Sequence, residues 1–83
     1  MNNSNPKFRL TVHRTGNDKP EIFEFDGALL AAAVARLALE QEASVEEVCL
    51  HAVGTKFEFS AMNLEWDAKD VADWFKRNVR RPV

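Results

Sequence analysis

Twice along the chain, two segments of alternating apolar and polar residues are followed by a segment of helical spacing. A period of two belongs to a strand with one buried face, and a period near 3.6 to a helix lying on a core. The first alternating segment, residues 7–14, sets Phe8, Leu10 and Val12 against Arg9, Thr11 and His13. Residues 15–20 collect the turn formers Gly16, Asn17, Asp18 and Pro20. Residues 21–26 alternate again, with Phe23 and Phe25 expected inside and Glu24 outside. This predicts a hairpin with a loop of about six residues.

Residues 28–39 carry one charge, Arg36. Leu29, Leu30, Ala33, Val34 and Leu37 share one helical face and are expected to meet the core. Ala31, Ala35 and Ala38 form a second face. It either admits a close neighbour or stays exposed, alanine being the best helix former. Asp26 is placed to cap the helix. Residues 44–53 fit two patterns. As a helix they have a capping box, Ser44 with Glu47. As a strand they set Val48, Leu50 and Ala52 against Cys49, His51 and Val53. The neighbouring residues 54–61 favour the strand. Gly54-Thr55 reads as a two-residue hairpin loop joining strands over 47–53 and 56–61, the second alternating with Phe57 and Phe59 inside. The last helix has Asp67 as N-cap, with Trp66 and Val71 spaced as a hydrophobic staple. Val71, Trp74, Phe75, Asn78 and Val79 share its inner face, and Lys76, Arg77 and Arg80 suit its C-terminal dipole.

The expected fold is therefore α+β, in the order ββαββα. Four mainly antiparallel strands form one sheet, with both helices packed on one face. The other face would show Arg9, Thr11, His13, Glu24, Glu58 and Ser60. Phe23-Glu24-Phe25 returns as Phe57-Glu58-Phe59, as duplication or chance would give. One domain is expected over 7–80, with 1–6 and 81–83 as flexible termini. At 83 residues the core is thin, and six Phe and two Trp compensate. The single cysteine, Cys49, allows no internal disulfide, which suits a reducing cytoplasm. Residues 1–7 lack the apolar segment of a signal peptide, and the longest apolar run, 28–35, is too short to span a bilayer.

Few groups invite chemistry. His13, Cys49 and His51 are the metal candidates, but no Cys-x-x-Cys or His-x-x-x-His pair supports them. Cys49 and His51, two apart on a strand, run parallel rather than converge as a nucleophile and its base would. Gly16, Gly27 and Gly54 sit at turns or a helix start and make no phosphate loop. No catalytic residue, metal or cofactor is expected, so the chain is read as a non-enzyme.

Charge separates the remaining classes. The net charge is −2, but residues 21–70 hold eleven acids and three cations, while each end carries an excess of three cations. The acidic centre and inward phenylalanines argue against a nucleic-acid face that stacks bases. The leading expectation is a small binding module that occupies a protein or protein–nucleic-acid partner. Glu40, Glu42, Glu46 and Glu47 would dock on a basic surface. The alternative is a nucleic-acid-binding regulator using Arg9, Arg14, Arg77, Arg80 and Arg81. Trp66 and Trp74 are either core or anchors, and Leu39 and the alanine face are candidates for exposure. The edge of the first or fourth strand could accept a partner strand or a second copy. In size, single-domain form and lack of a catalytic kit, the chain resembles small bacterial or phage-encoded inhibitors, anti-CRISPR proteins among them. The likeness covers no motif and assigns no residue.

Overall fold

The periodic segments become six elements in a computed structural model, which describes residues 7–79. They are β1 (Phe8–Arg14), β2 (Glu21–Phe25), α1 (Ala28–Gln41), β3 (Val45–Ala52), β4 (Glu58–Ala61) and α2 (Ala68–Asn78). The order is ββαββα, and the fold is α+β. The strands form one antiparallel sheet in the order β2-β1-β3-β4. β1 is thus a central strand, and among the described residues the free edges are β2 and β4 rather than β1 and β4. Helix α1 carries the chain from the β2 edge, across β1, to β3. The expected termini, 1–6 and 81–83, lie outside the described residues, as does Arg80.

Register fixes the two sheet faces, because directly opposed residues of antiparallel strands point the same way. Leu10 stands between Phe23 and Leu50, and Leu50 faces Phe59. These residues look toward the helices. Phe8, Leu10, Val12, Val48, Leu50 and Ala52 are buried there with Phe75 of α2. Phe8 and Phe75 meet edge to face, with ring centroids 5.3 Å apart. Each such large side chain contributes about 1.5–3 kcal/mol through burial. The tryptophans flank this centre half-buried, Trp74 edge-on to Phe57 and Trp66 edge-on to Phe59.

Residues 45–52 are a strand, and it begins earlier than expected. The ladder pairs His13 with Glu47 but Arg14 with Val45, so Glu46 is an extra residue in a β-bulge. The bulge lets Val45 and Val48 both point into the core despite their odd spacing. The turn after β3 is longer than Gly54-Thr55. The Ala52 N–H donates to the Phe57 carbonyl, which closes a four-residue loop. Gly54 lies in this loop at φ +85°, a backbone region other residues seldom adopt.

Helix α1 reverses the expected orientation. Ala28, Ala31, Ala32 and Ala35 are buried, while Leu29, Leu30 and Leu37 are 50%, 58% and 52% exposed. Alanine side chains are short, so the helix axis can lie close to both the sheet and α2. The alanine face is therefore the packing face, and Leu39 is half-buried. The cap differs too. Gly27 is the N-cap of α1, and Asp26 instead pairs with Lys7 at 2.8 Å. Asp67 is the N-cap of α2, but no side-chain capping bond forms. Asp70 in the first turn and Lys76 and Arg77 in the last still match the helix dipole.

Candidate functional site

The expected acidic residues collect at one end of the molecule, where α1 turns into β3. Glu40 is exposed near the end of α1, and Glu42 is its C-cap. Glu42 forms an ion pair with Arg14. Glu46, the bulged residue, accepts a hydrogen bond from the Thr15 hydroxyl at 2.9 Å. Glu47 goes elsewhere. It is half-buried on the open sheet face, opposite His13. Three of the four carboxylates therefore share one end, and the fourth belongs to another surface.

The basic alternatives are partly occupied. Arg9 pairs with Glu24 across the sheet at 3.6 Å. Arg14 is held by Glu42, Glu21 and the Ser44 hydroxyl. Hydrogen bonds from Arg14 to Glu42 and Glu21 push its pKa further up, so it stays charged inside an acidic frame. A hydrogen bond to Asp26 raises Lys7 in the same way. Arg77 is exposed in the last turn of α2, and Arg80 and Arg81 lie outside the described residues. Residues 7–79 hold nine Lys and Arg against thirteen Asp and Glu, so the described surface is net acidic.

The open face carries Arg9, Thr11, His13, Glu24, Glu58 and Ser60 as expected. It also carries Ile22, Glu47, Cys49 and His51. Cys49 and His51 do not converge. The Cys49 thiol lies 3.3 Å from a Glu58 oxygen, and the His51 Nε2 donates to the Thr55 carbonyl at 2.7 Å. That bond fixes the proton on Nε2 and ties the ring to its own hairpin loop. Burial, first of all, pushes the Cys49 thiol above its ordinary pKa, and the Glu58 carboxylate pushes the same way. A reactive cysteine needs the opposite shift. Among the described residues every buried side chain is apolar. No group of three His, Cys, Asp or Glu gathers among them to hold a metal ion. The hollows are surface features. One of about 460 Å³ is bordered by Glu47, Phe59, Met62 and Trp66.

What the sequence reading missed is apolar. Helical geometry turns about 100° per residue, so Leu29, Ala33, Leu37 and Glu40 fall within about 80° of arc on the outer face of α1. Leucines and an acidic residue thus form one stripe that runs into the acidic end. Arg36 bounds it on one flank. Its guanidinium donates to the Leu64 carbonyl at 3.4 Å and stands 6.0 Å over the Trp66 ring. The signal was present in the alanines. Ala28, Ala31, Ala32, Ala35 and Ala38 make an unbroken i, i+3, i+4, i+7 stripe along the helix, a complete packing face. Among the described residues no helix is long and apolar enough to cross a membrane. Comparison with protein-family models, with curated proteins and with solved structures finds no match.

Proposed function

We propose that this protein is a non-enzymatic binding module that acts by occupying a protein, or protein–nucleic-acid, partner, as small inhibitors do. The observation that carries this reading is the outer stripe of α1. Leu29 and Leu37 stand half in solvent, although a buried alanine face already anchors the helix. Exposed apolar surface beside charged groups is the usual composition of a contact site. Glu40 extends the stripe, with Glu42 and Glu46 at the same end. The complementary partner surface is an apolar groove with a basic rim. The raised thiol pKa of Cys49 argues against a nucleophilic role for that one residue. A reducing cytoplasm suits the free cysteine.

The test is affinity capture from an extract of the source organism, with partners identified by mass spectrometry. Two variants accompany the parent, Leu29→Lys with Leu37→Lys, and Glu40→Lys with Glu42→Lys and Glu46→Lys. Both sets alter exposed positions, and circular dichroism checks that each variant is folded, since Glu42 and Glu46 also contact Arg14 and Thr15. A protein partner retained by the parent and lost from both variants supports the reading. Retention by both variants, with loss only when Arg77, Arg80 and Arg81 are neutralised, would transfer the function to the basic end. In that case bound nucleic acid should be released steeply by salt.

A further inference from the structure

We propose that the free edge of β2 pairs with the β2 edge of a second copy of this chain, joining two sheets across a two-fold axis. The surface centres on the β2 edge and meets the outer stripe of α1 at Leu30, so the two are told apart by variants at Ile22 and Leu29.

An edge strand leaves backbone N–H and C=O groups unpaired, and another strand satisfies them best. Of the two edges, β2 has the more exposed apolar side chains. Ile22 is 58% exposed on the otherwise polar open face, and Phe23 is 46% exposed on the helix side. On β4, by contrast, Phe59 and Ala61 are already half-buried against the core. Helix α1 adds to the β2 side. Arg36 marks its flank toward β4, since Arg36 stands over Trp66 and Trp66 packs on Phe59. Leu30 lies about 120° round the helix from Arg36, on the opposite flank, toward β2.

A two-fold axis makes such a surface self-complementary, because each residue meets the same set in its partner. With the axis at Ile22, Ile22 faces its own copy, Glu21 faces Phe23, and the two Phe23 rings approach diagonally. No carboxylate faces another. The acids of β2 are also neutralised within their own chain, Glu21 by Arg14 at 3.1 Å and Glu24 by Arg9 at 3.6 Å. That removes the repulsion that exposed glutamates normally place on a free edge. The open parts of Ile22 on one sheet face and of Phe23 and Leu30 on the other add up to roughly 300 Å² of apolar surface along this edge. Strand backbone adds to this, but the total stays under the standard of about 800 Å² per partner, which points to a weak, reversible dimer.

The test is sedimentation equilibrium of the intact chain from about 1 μM to 1 mM, a span wide enough to register weak association. The expected result is a mass rising from 9.4 kDa toward twice that value with concentration. Ile22→Lys should weaken the association at least tenfold while leaving the circular dichroism spectrum unchanged, because the side chain is exposed. Leu29→Lys, on the stripe proposed for the partner, should dimerise as the parent does. A parent mass fixed at 9.4 kDa throughout would overturn the proposal. So would an Ile22→Lys variant that associates as strongly as the parent. Neither result touches partner capture, which is read from different residues.

Discussion

The orientation of α1 makes opposite demands on two substitutions that look alike in sequence. Ala35 is fully buried on the packing face of α1, whereas Leu37 is 52% exposed. Ala35→Leu inserts three carbons where there is no space, and overpacking of that kind costs about 1–3 kcal/mol. The upper part of the range applies, since no part of Ala35 is exposed and the flanking alanines Ala31 and Ala32 have no rotamers with which to make room. Leu37→Ala removes a side chain that has gained only half of its burial. Full burial of a leucine is worth about 1.5–3 kcal/mol, so about 1 kcal/mol is at stake. Alanine returns a little of this through its helix propensity. In a domain of this size a loss of about 1 kcal/mol moves Tm by about 4–8 °C. Thermal melts followed by circular dichroism should therefore place Ala35→Leu about 10 °C or more below the parent, and Leu37→Ala within about 5 °C. Urea titrations should show the same order with unchanged slopes. If Ala35→Leu melts with the parent while Leu37→Ala loses more than about 2 kcal/mol, the leucines face the core and the helix is rotated from the position described.

Local geometry sets two further outcomes. Gly54→Ala should lower stability by roughly 1–2 kcal/mol in the same melts, because φ is +85° there while no atom obstructs an added methyl. An unchanged Tm would mean that the loop accommodates another backbone conformation. Cys49 should alkylate with iodoacetamide more slowly than an unfolded cysteine at about pH 7.5, because burial, aided by Glu58, holds the thiol above its ordinary 9.0. The folded state favours the neutral thiol. Its stabilising contribution is complete below that ordinary value and disappears as pH rises through the higher folded one. Faster labelling of the folded protein at the same pH would reverse the sign of the shift.

The strands were legible because alternation is a property of neighbouring residues. Phe8, Leu10 and Val12 announce their face within five positions, and the β3–β4 hairpin resolves the ambiguity of residues 44–53. The sheet order was less so. No local pattern states that β1 lies between β2 and β3, and that order decides which edge is free. The facing of α1 was hidden for another reason. Hydrophobicity ranks leucine above alanine, but the choice of face depended on how closely the helix approaches, which is a distance between distant parts of the chain. The bulge at Glu46 belongs to the same class, because an extra residue shows only against a partner strand. Of the candidate residues, Glu40, Glu42 and Glu46 were near neighbours in the chain and remained so. Leu29 and Leu37 entered only after the alanines were seen to be buried.

An alanine interface also has a thermodynamic character of its own. Alanine has no side-chain rotamers to lose, so docking this face orders nothing beyond the backbone, whereas a buried leucine gives up about 0.5–1 kcal/mol of rotamer freedom. For a chain with a thin core that saving is useful. It also leaves the interface no slack, since alanines cannot change rotamer to absorb a displaced neighbour. The helix is therefore held by proximity as a stiff element, and Leu29, Leu30 and Leu37 project into solvent from a fixed base.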